Sequence, residues 1–135
     1  MSRSNYSDDL DEDDLEAYRA LVRDVIDSPK GQSFLRELAT AMDAMGNKFL
    51  IADELVAPDG SCCAIGVVCK SRDVDTRSVD PECPTSVGNL VGIAHELAAE
   101  IEYINDECGQ ITESPENRWV RVRKWVASQL SEVGQ

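Results

Sequence analysis

The longest apolar run in the chain reads Ser61-Cys62-Cys63-Ala64-Ile65-Gly66-Val67-Val68-Cys69 and contains neither a charged nor an amide side chain. Polar segments flank it on both sides, Pro58-Asp59-Gly60 before it and Lys70-Ser71-Arg72-Asp73 after it. A segment that is apolar on every side belongs inside a protein, where other elements cover it. Because residues 64 and 66 are small, a neighbour can cross closely there, and we expect the rest of the chain to fold around this run.

Two local structures compete for residues 49–72. In the first, Ser61 caps a buried helix that continues to Arg72. In the second, residues 49–56 and 62–69 are strands of a hairpin around the turn Pro58-Asp59-Gly60. The β-branched residues within 65–68 favour a strand, whereas Ala64, the cysteines and the length of the segment permit a helix. We prefer the helix and keep the hairpin as the alternative.

Two amphipathic helices are predicted before this run. The first starts within the acid-rich residues 8–16, which suit a helix N-terminus, and it ends before Ser28-Pro29. That face is formed by Leu15, Tyr18, Leu21, Val22, Val25 and Ile26. Ser28 can cap a second helix with Pro29 at its first position, and Gly46-Asn47 is a good place for that helix to stop.

Helical periodicity returns after a loop over residues 73–86. One apolar stripe runs from Val87 to Cys108 and ends at Gly109. The sequence Ser114-Pro115-Glu116 then starts a last helix, whose stripe consists of Trp119, Val122, Val126, Leu130 and Val133. The pattern predicts an all-α domain, a compact bundle of four to six helices over residues 10–135. A disordered acidic leader, residues 1–9, precedes it.

The net charge of −13 is the strongest global property of the chain. It opposes binding to a nucleic-acid backbone or to an anionic membrane, and a partner protein, if there is one, is expected to have a basic surface. The preferred interpretation of the charge alone is that it serves solubility. No apolar run reaches the roughly 20 residues of a membrane span, and the first residues do not form a signal peptide. We therefore expect a cytoplasmic protein; its oligomeric state stays open.

Residues 85–101 have the spacing of a helix-turn-helix, with Gly92 in the turn and apolar residues where two helices would pack. The second helix, however, would present His95, Glu96, Glu100 and Glu102 to DNA. Between Asp80 and Glu116 there are nine acids and no Lys or Arg. Because cations supply most of the affinity for DNA, a DNA-binding regulator is disfavoured and the turn is interpreted as packing.

A catalytic or metal-binding role is the second alternative. The five cysteines lack the paired spacing of zinc ligands, and an apolar segment denies Cys63 and Cys69 the electropositive surroundings that a nucleophile needs. His95, Glu102 and Asp106 could share one flank of a helix, without a second histidine or a glycine-framed serine. We predict a protein that is not an enzyme and has no metal or cofactor.

Two surfaces are candidates for binding. Glu96, Glu100 and Glu107 lie opposite the apolar stripe that runs from Val87 to Cys108, and they form a predicted acidic face. Arg118, Arg121, Lys124 and Trp125 belong to the one dense basic patch, where Arg and Trp are typical of interface hot spots. For this patch we prefer the interpretation that it pairs with acids of the same chain or is solvated, and we keep binding as the alternative.

Several short motifs resemble those of small acidic proteins encoded by bacteriophages and prophages of proteobacteria. They lie within residues 34–131 and comprise Ile51 to Leu55, Asp59-Gly60, Cys63-Ala64-Ile65-Gly66, Gly92-Ile93-Ala94, Ile104-Asn105-Asp106-Glu107, Pro115-Glu116-Asn117-Arg118-Trp119 and Trp125-Val126. The resemblance implies a context but no functional residues. Together with the charge, it predicts a non-enzymatic module that binds a host protein, with a nucleic-acid-handling protein of the host as the expected target.

Overall fold

The computed structural model describes residues 11–131, and within that range it contains six helices and no strand. The helices are α1 (Glu12–Asp27), α2 (Pro29–Asp43), α3 (Ala64–Ser71), α4 (Pro84–Val91), α5 (His95–Glu107) and α6 (Pro115–Gln129). This confirms the predicted all-α bundle. The predicted leader, residues 1–9, and Val133 of the predicted last stripe lie outside the described residues.

The first two helices form a hairpin joined by a single residue. The Ser28 hydroxyl accepts a hydrogen bond from the Gly31 amide (3.1 Å), and Pro29 is the first residue of α2, as predicted. A Cβ at Gly31 would collide with the Val25 carbonyl oxygen, so only glycine permits this approach. The predicted stripe of α1 is correct at Val22 and Ile26 but wrong at Leu21, which is 45% exposed.

The end of α2 differs from the prediction. The helix stops at Asp43 and is capped by Ala44 in the right-handed region, so Gly46 is not its terminal glycine. Lys48 replaces that stop, since its ammonium donates to the carbonyl oxygens of Asp43 (2.9 Å) and Met45 (2.8 Å). Lys48 lies five residues beyond the end of the helix, and hydrophobic periodicity alone does not identify such a residue as a cap.

The central run is helical, as we preferred, but the helix starts later than predicted. Cys63 is the N-cap of α3 and Ser61 lies before it. At the position of the alternative hairpin the structure has one isolated antiparallel bridge, between Val56 and Cys62, on either side of the Pro58-Asp59-Gly60 turn. Beyond that bridge the Ala64 amide bonds to a side chain of α5 (Asn105) instead of a second strand, and the chain winds into a helix.

Helix α3 is the centre of the core, as the sequence predicts. Every residue from Cys62 to Cys69 is buried, and α3 packs against both α2 and α5. The closest crossing is at Gly66, where an added Cβ would collide with the Leu55 carbonyl oxygen and lie 2.8 Å from its carbon. The connection before α3 therefore passes directly over the helix backbone.

The predicted single stripe over residues 87–108 belongs to two helices. Gly92 has φ 79°, a left-handed conformation that suits glycine, and it ends α4. A Cβ at Gly88 would lie 2.7 Å from the Ile93 carbonyl oxygen, which brings the turn close to α4. The helix-turn-helix spacing thus located the turn correctly, and α4 packs along α5.

Helix α6 begins as the sequence predicts. Ser114 caps it by accepting from the Asn117 amide (3.0 Å), and Pro115 is its first residue. Val122 and Val126 are buried, while Trp119 is half-buried against the core. Within residues 11–131, none of the helices combines the length and the apolar character that crossing a membrane requires.

Replacing Gly66 by alanine tests the close crossing at α3. We expect Gly66→Ala to lower the free energy of unfolding by about 1–3 kcal/mol or more, because the added methyl forces the Leu55 carbonyl to move. Gly46→Ala is the matched control, since nothing lies within 4 Å of its Cβ position. Urea unfolding of both variants measures the difference; equal stabilities would show that α3 is not tightly crossed.

Candidate functional site

The predicted basic patch on α6 faces inward at Arg121. Its guanidinium makes two hydrogen bonds to the Glu113 carboxylate (2.7 and 3.0 Å). It also donates to the carbonyl oxygens of Ile104 (2.5 Å) and Asn105 (3.2 Å) in the last turn of α5. Arg121 therefore caps the C-terminal end of α5 and is not available to a ligand.

The other members of the patch divide between interior and surface. Arg118 donates to the Leu50 carbonyl oxygen (3.0 Å) and lies 3.6 Å from Glu113. Trp125 is half-buried against the core, whereas Lys124 is exposed. The contacts of Arg118 and Arg121 fit the internal pairing that we preferred from the sequence, and a binding role for Lys124 and Trp125 stays a prediction.

Two further arginines follow the same pattern. Arg123 pairs with Asp43 through two hydrogen bonds of 2.9 Å, and Arg72 pairs with Glu37 at 2.7 and 2.6 Å. The hydrogen bonds from these arginines lower the pKa of Asp43 and of Glu37, against a smaller opposing effect of burial. Such pairs hold α2 to α3 and α2 to α6.

The predicted acidic face on α5 is only partly exposed. Glu107 is exposed and Glu100 is half-buried. Glu96 was expected to face solvent, but its side chain is only 16% exposed and lies 3.3 Å from the His95 imidazole. The reason is the turn at Gly92, which places residue 96 in the first turn of α5, where α4 packs along the helix.

Helix α1 extends this acidic surface. It packs against α5, and its first turn carries Glu12, Asp13 and Asp14, all exposed. Acids in this position also favour the helix dipole. The fold thus brings together two acid-rich helices that are far apart in sequence, and we refer to Glu12, Asp13, Asp14, Glu100 and Glu107 as the α1–α5 acidic surface.

The possible catalytic set on α5 is not assembled. His95 is exposed at the start of the helix, whereas Glu102 is 1% exposed and therefore cannot reach a DNA groove as the helix-turn-helix alternative required. Asp106 accepts hydrogen bonds from the Asp53 amide (3.2 Å) and from the Asn105 side chain (2.8 Å). These contacts give Asp106 a structural role in fixing the loop before α3.

Asn105 is a key residue that the sequence reasoning missed. Its side chain is completely buried; its oxygen accepts from the Ala64 amide (3.0 Å), and its nitrogen donates to the Ile51 carbonyl oxygen (2.9 Å). It thereby caps α3, whose own N-cap residue Cys63 makes no side-chain cap. The sequence signal that could have indicated its burial is its position four residues after Ile101, which places a polar residue on the apolar face of α5.

The cysteines fall into a buried and an accessible group. Burial raises the pKa of Cys62 and of Cys69 to about 11, so both thiols stay protonated at neutral pH. Cys83, at the start of α4, has a lowered pKa because the Ser86 hydroxyl donates to its sulfur (3.3 Å). Among residues 11–131, no three His, Cys, Asp or Glu side chains are grouped so that they could hold a metal ion.

A cleft of about 540 Å³ lies between the end of α2, the turn before α3, and α3 itself. Met45, Phe49 and Val67 supply apolar surface, and Lys70 and Asp59 are its two charged side chains. We call it the α2–α3 cleft. The sequence did not indicate it, since its walls come from segments that meet only in the fold.

Comparison of the chain with protein-family models, with curated proteins and with solved structures finds no match. The candidate surfaces are therefore interpreted from their own contacts and charges.

Removing the Asn105 amide tests its role as a buried cap. In Asn105→Leu the Ala64 amide and the Ile51 carbonyl lose their partner, and the orphaned buried amide alone costs about 1–3 kcal/mol. We expect a clear loss of stability in urea unfolding. Asn89→Ala, on the exposed side of α4, is the control and should change stability by no more than about 0.5 kcal/mol. A neutral Asn105→Leu would contradict the capping role.

Thiol reactivity should follow burial and pKa. With a chromogenic aromatic disulfide at neutral pH, we expect Cys83 to react first and Cys108, whose pKa burial raises, to follow. Cys62, Cys63 and Cys69 should react only when urea unfolds the chain, because the core covers them. Cys83→Ser and Cys108→Ser assign the two phases. Rapid reaction of a third thiol in native protein would contradict the buried cluster.

Proposed function

We propose that the chain is a non-enzymatic protein-binding module that uses the α1–α5 acidic surface against a partner with a basic surface. The observation that carries this proposal is the inward use of the arginines. Arg72, Arg121 and Arg123 are bound to carboxylates of the same chain, so their charge does not neutralise the acids of α1 and α5.

The charge distribution supports a localised acidic surface rather than an even spread of acidic residues over the protein. Helix α5 carries no Lys or Arg along its length, and the span from Asp80 to Glu116 holds nine acids and neither Lys nor Arg. Packing α1 beside α5 concentrates this charge on adjoining helices. Helix α1 also carries Arg19 and Arg23, so the excess of acid on the two helices is a net excess. A surface of net negative charge attracts an oppositely charged partner over a distance of about 8–10 Å at physiological salt and raises the association rate.

The resemblance to small acidic phage and prophage proteins supports a host protein as partner. Proteins that handle nucleic acids present basic grooves, since phosphate binding depends on Lys and Arg. Acidic side chains displayed along adjoining helices offer such a groove the charge that a nucleic acid would offer. We therefore propose a nucleic-acid-handling protein of the host as the partner, with the module acting as its inhibitor.

The contacts support the alternatives less well. An enzyme would need converging acid, base or nucleophile groups, whereas His95 and Asp106 lie at opposite ends of α5 and Cys62 and Cys69 are protonated in the core. A DNA-binding regulator would need cations on α5, where Glu96 and Glu100 occupy the first turns. The α4–α5 pair has the turn of a DNA-binding motif without its charge.

Charge reversal on α5 tests the proposal. The partner is first retained from a bacterial lysate on the immobilised chain, and binding kinetics of the purified pair are then measured at two salt concentrations. In Glu100→Lys/Glu107→Lys we expect the association rate at low salt to fall about tenfold, with a smaller loss at high salt, because steering charges mainly set the on-rate. The melting temperature verifies that the variant is folded.

The control keeps the net charge equal to that of the variant. Glu54→Lys/Glu82→Lys introduces the same charge change at exposed positions outside α1 and α5, and it should reduce the rate much less. Equal losses in the two double variants would show that only total charge matters. An unchanged rate for the α5 variant at low salt would remove this surface from the proposal.

A further inference from the structure

The α2–α3 cleft combines apolar walls with two opposite charges. Ala44, Met45, Phe49 and Val67 line it, and its volume of about 540 Å³ lies within the range of small-ligand sites, about 300–1,000 Å³. Met45 and Phe49 are half-buried although both are large and apolar. Methionine adapts its shape to different apolar groups, and an aromatic ring offers a rigid contact face, so these walls suit an apolar side chain.

The positive group of the cleft has unused hydrogen-bonding capacity. The Lys70 ammonium donates to the Gly60 carbonyl oxygen (3.0 Å), and an ammonium has three donors. It forms no salt bridge with any carboxylate in the part of the chain that the structure describes. The charge of Lys70 also helps to lower the pKa of Asp59, so the two opposite charges of the cleft lie close enough to interact.

The negative group of the cleft is held in place by the turn before α3. One oxygen of Asp59 accepts from the Ser61 amide (3.0 Å), which fixes the carboxylate at the rim. Hydrogen bonds from Ser61 lower the pKa of Asp59, so the group is charged at neutral pH. A carboxylate has about four acceptor sites, and lone pairs therefore remain for a ligand.

We propose that the α2–α3 cleft binds a short apolar peptide with free termini, whose carboxylate pairs with Lys70 and whose ammonium pairs with Asp59. Met45, Phe49 and Val67 enclose its apolar side chains. A zwitterion has no net charge, so the overall charge of −13 does not oppose its entry, as it would oppose a simple anion. This site is separate from the α1–α5 acidic surface, and it stands or falls independently of the proposed function.

The experiment uses the dipeptide leucyl-phenylalanine and its blocked forms. Amide NMR shifts of the full chain are followed during titration with the free dipeptide, with its N-acetyl form and with its C-terminal amide. We expect saturable shifts at residues lining the cleft for the free dipeptide, and binding weaker by roughly two- to fivefold for each blocked form, the usual value of one exposed ion pair. No saturable shifts, or equal affinities for all three forms, would overturn the proposal.

Variants assign each contact. Lys70→Gln keeps a donor for the Gly60 carbonyl but should abolish the preference for a free carboxylate, and Asp59→Asn keeps an acceptor for Ser61 but should abolish the preference for a free ammonium. Ala44→Trp adds a large ring at an exposed wall position and should block binding at unchanged melting temperature. The matched controls are Lys124→Gln and Asp24→Asn. Both positions lie outside the lining of the cleft, and both variants should bind the dipeptide as the original chain does. Binding that survives Ala44→Trp would place the peptide elsewhere and overturn the assignment.

Discussion

The buried side-chain amide of Asn105 is the contact on which the centre of this fold depends. It bonds the first amide of α3, which is buried, and the Ile51 carbonyl, which is partly buried. Without it, an entirely apolar helix would start in the core with an orphaned N–H group, which is costly in a low-dielectric interior. The loop over Gly66 and the packing of α3 on α2 and α5 both require that start to be fixed.

Asn105 binds the N-terminal end of a helix, and several basic side chains bind the C-terminal ends of others. Lys48 binds the last carbonyls of α2, Arg72 binds the Val91 carbonyl at the end of α4 (2.9 Å), and Arg121 binds those of α5. Cations at helix C-termini satisfy free carbonyl groups and oppose the negative end of the dipole. A chain poor in bases thus places several of them where the backbone needs them, and its outer surface keeps the excess of acid.

This distribution links stability to the proposed function. The carboxylates of Glu37, Asp43 and Glu113 are engaged by arginines, and their pKa values are lowered for that reason. They stabilise the fold above their unfolded pKa, and that contribution is lost as the pH falls through the lower folded values. The α1–α5 acidic surface lies on two helices that pack together, and its acids are the ones proposed to meet a basic partner.

The sequence by itself determined the helical class, the starts of α2 and α6, and the burial of residues 62–69. Caps such as Ser28 and Ser114 act on residues three positions away, and an apolar run has to be covered wherever it lies. Only the tertiary structure decided that Arg118 and Arg121 face inward, that Glu96 is largely covered, and that Asn105 caps α3. It also decided where α2 stops and that a cleft opens beside α3. These features depend on groups brought together from distant segments, and local periodicity carries no information about which segments meet.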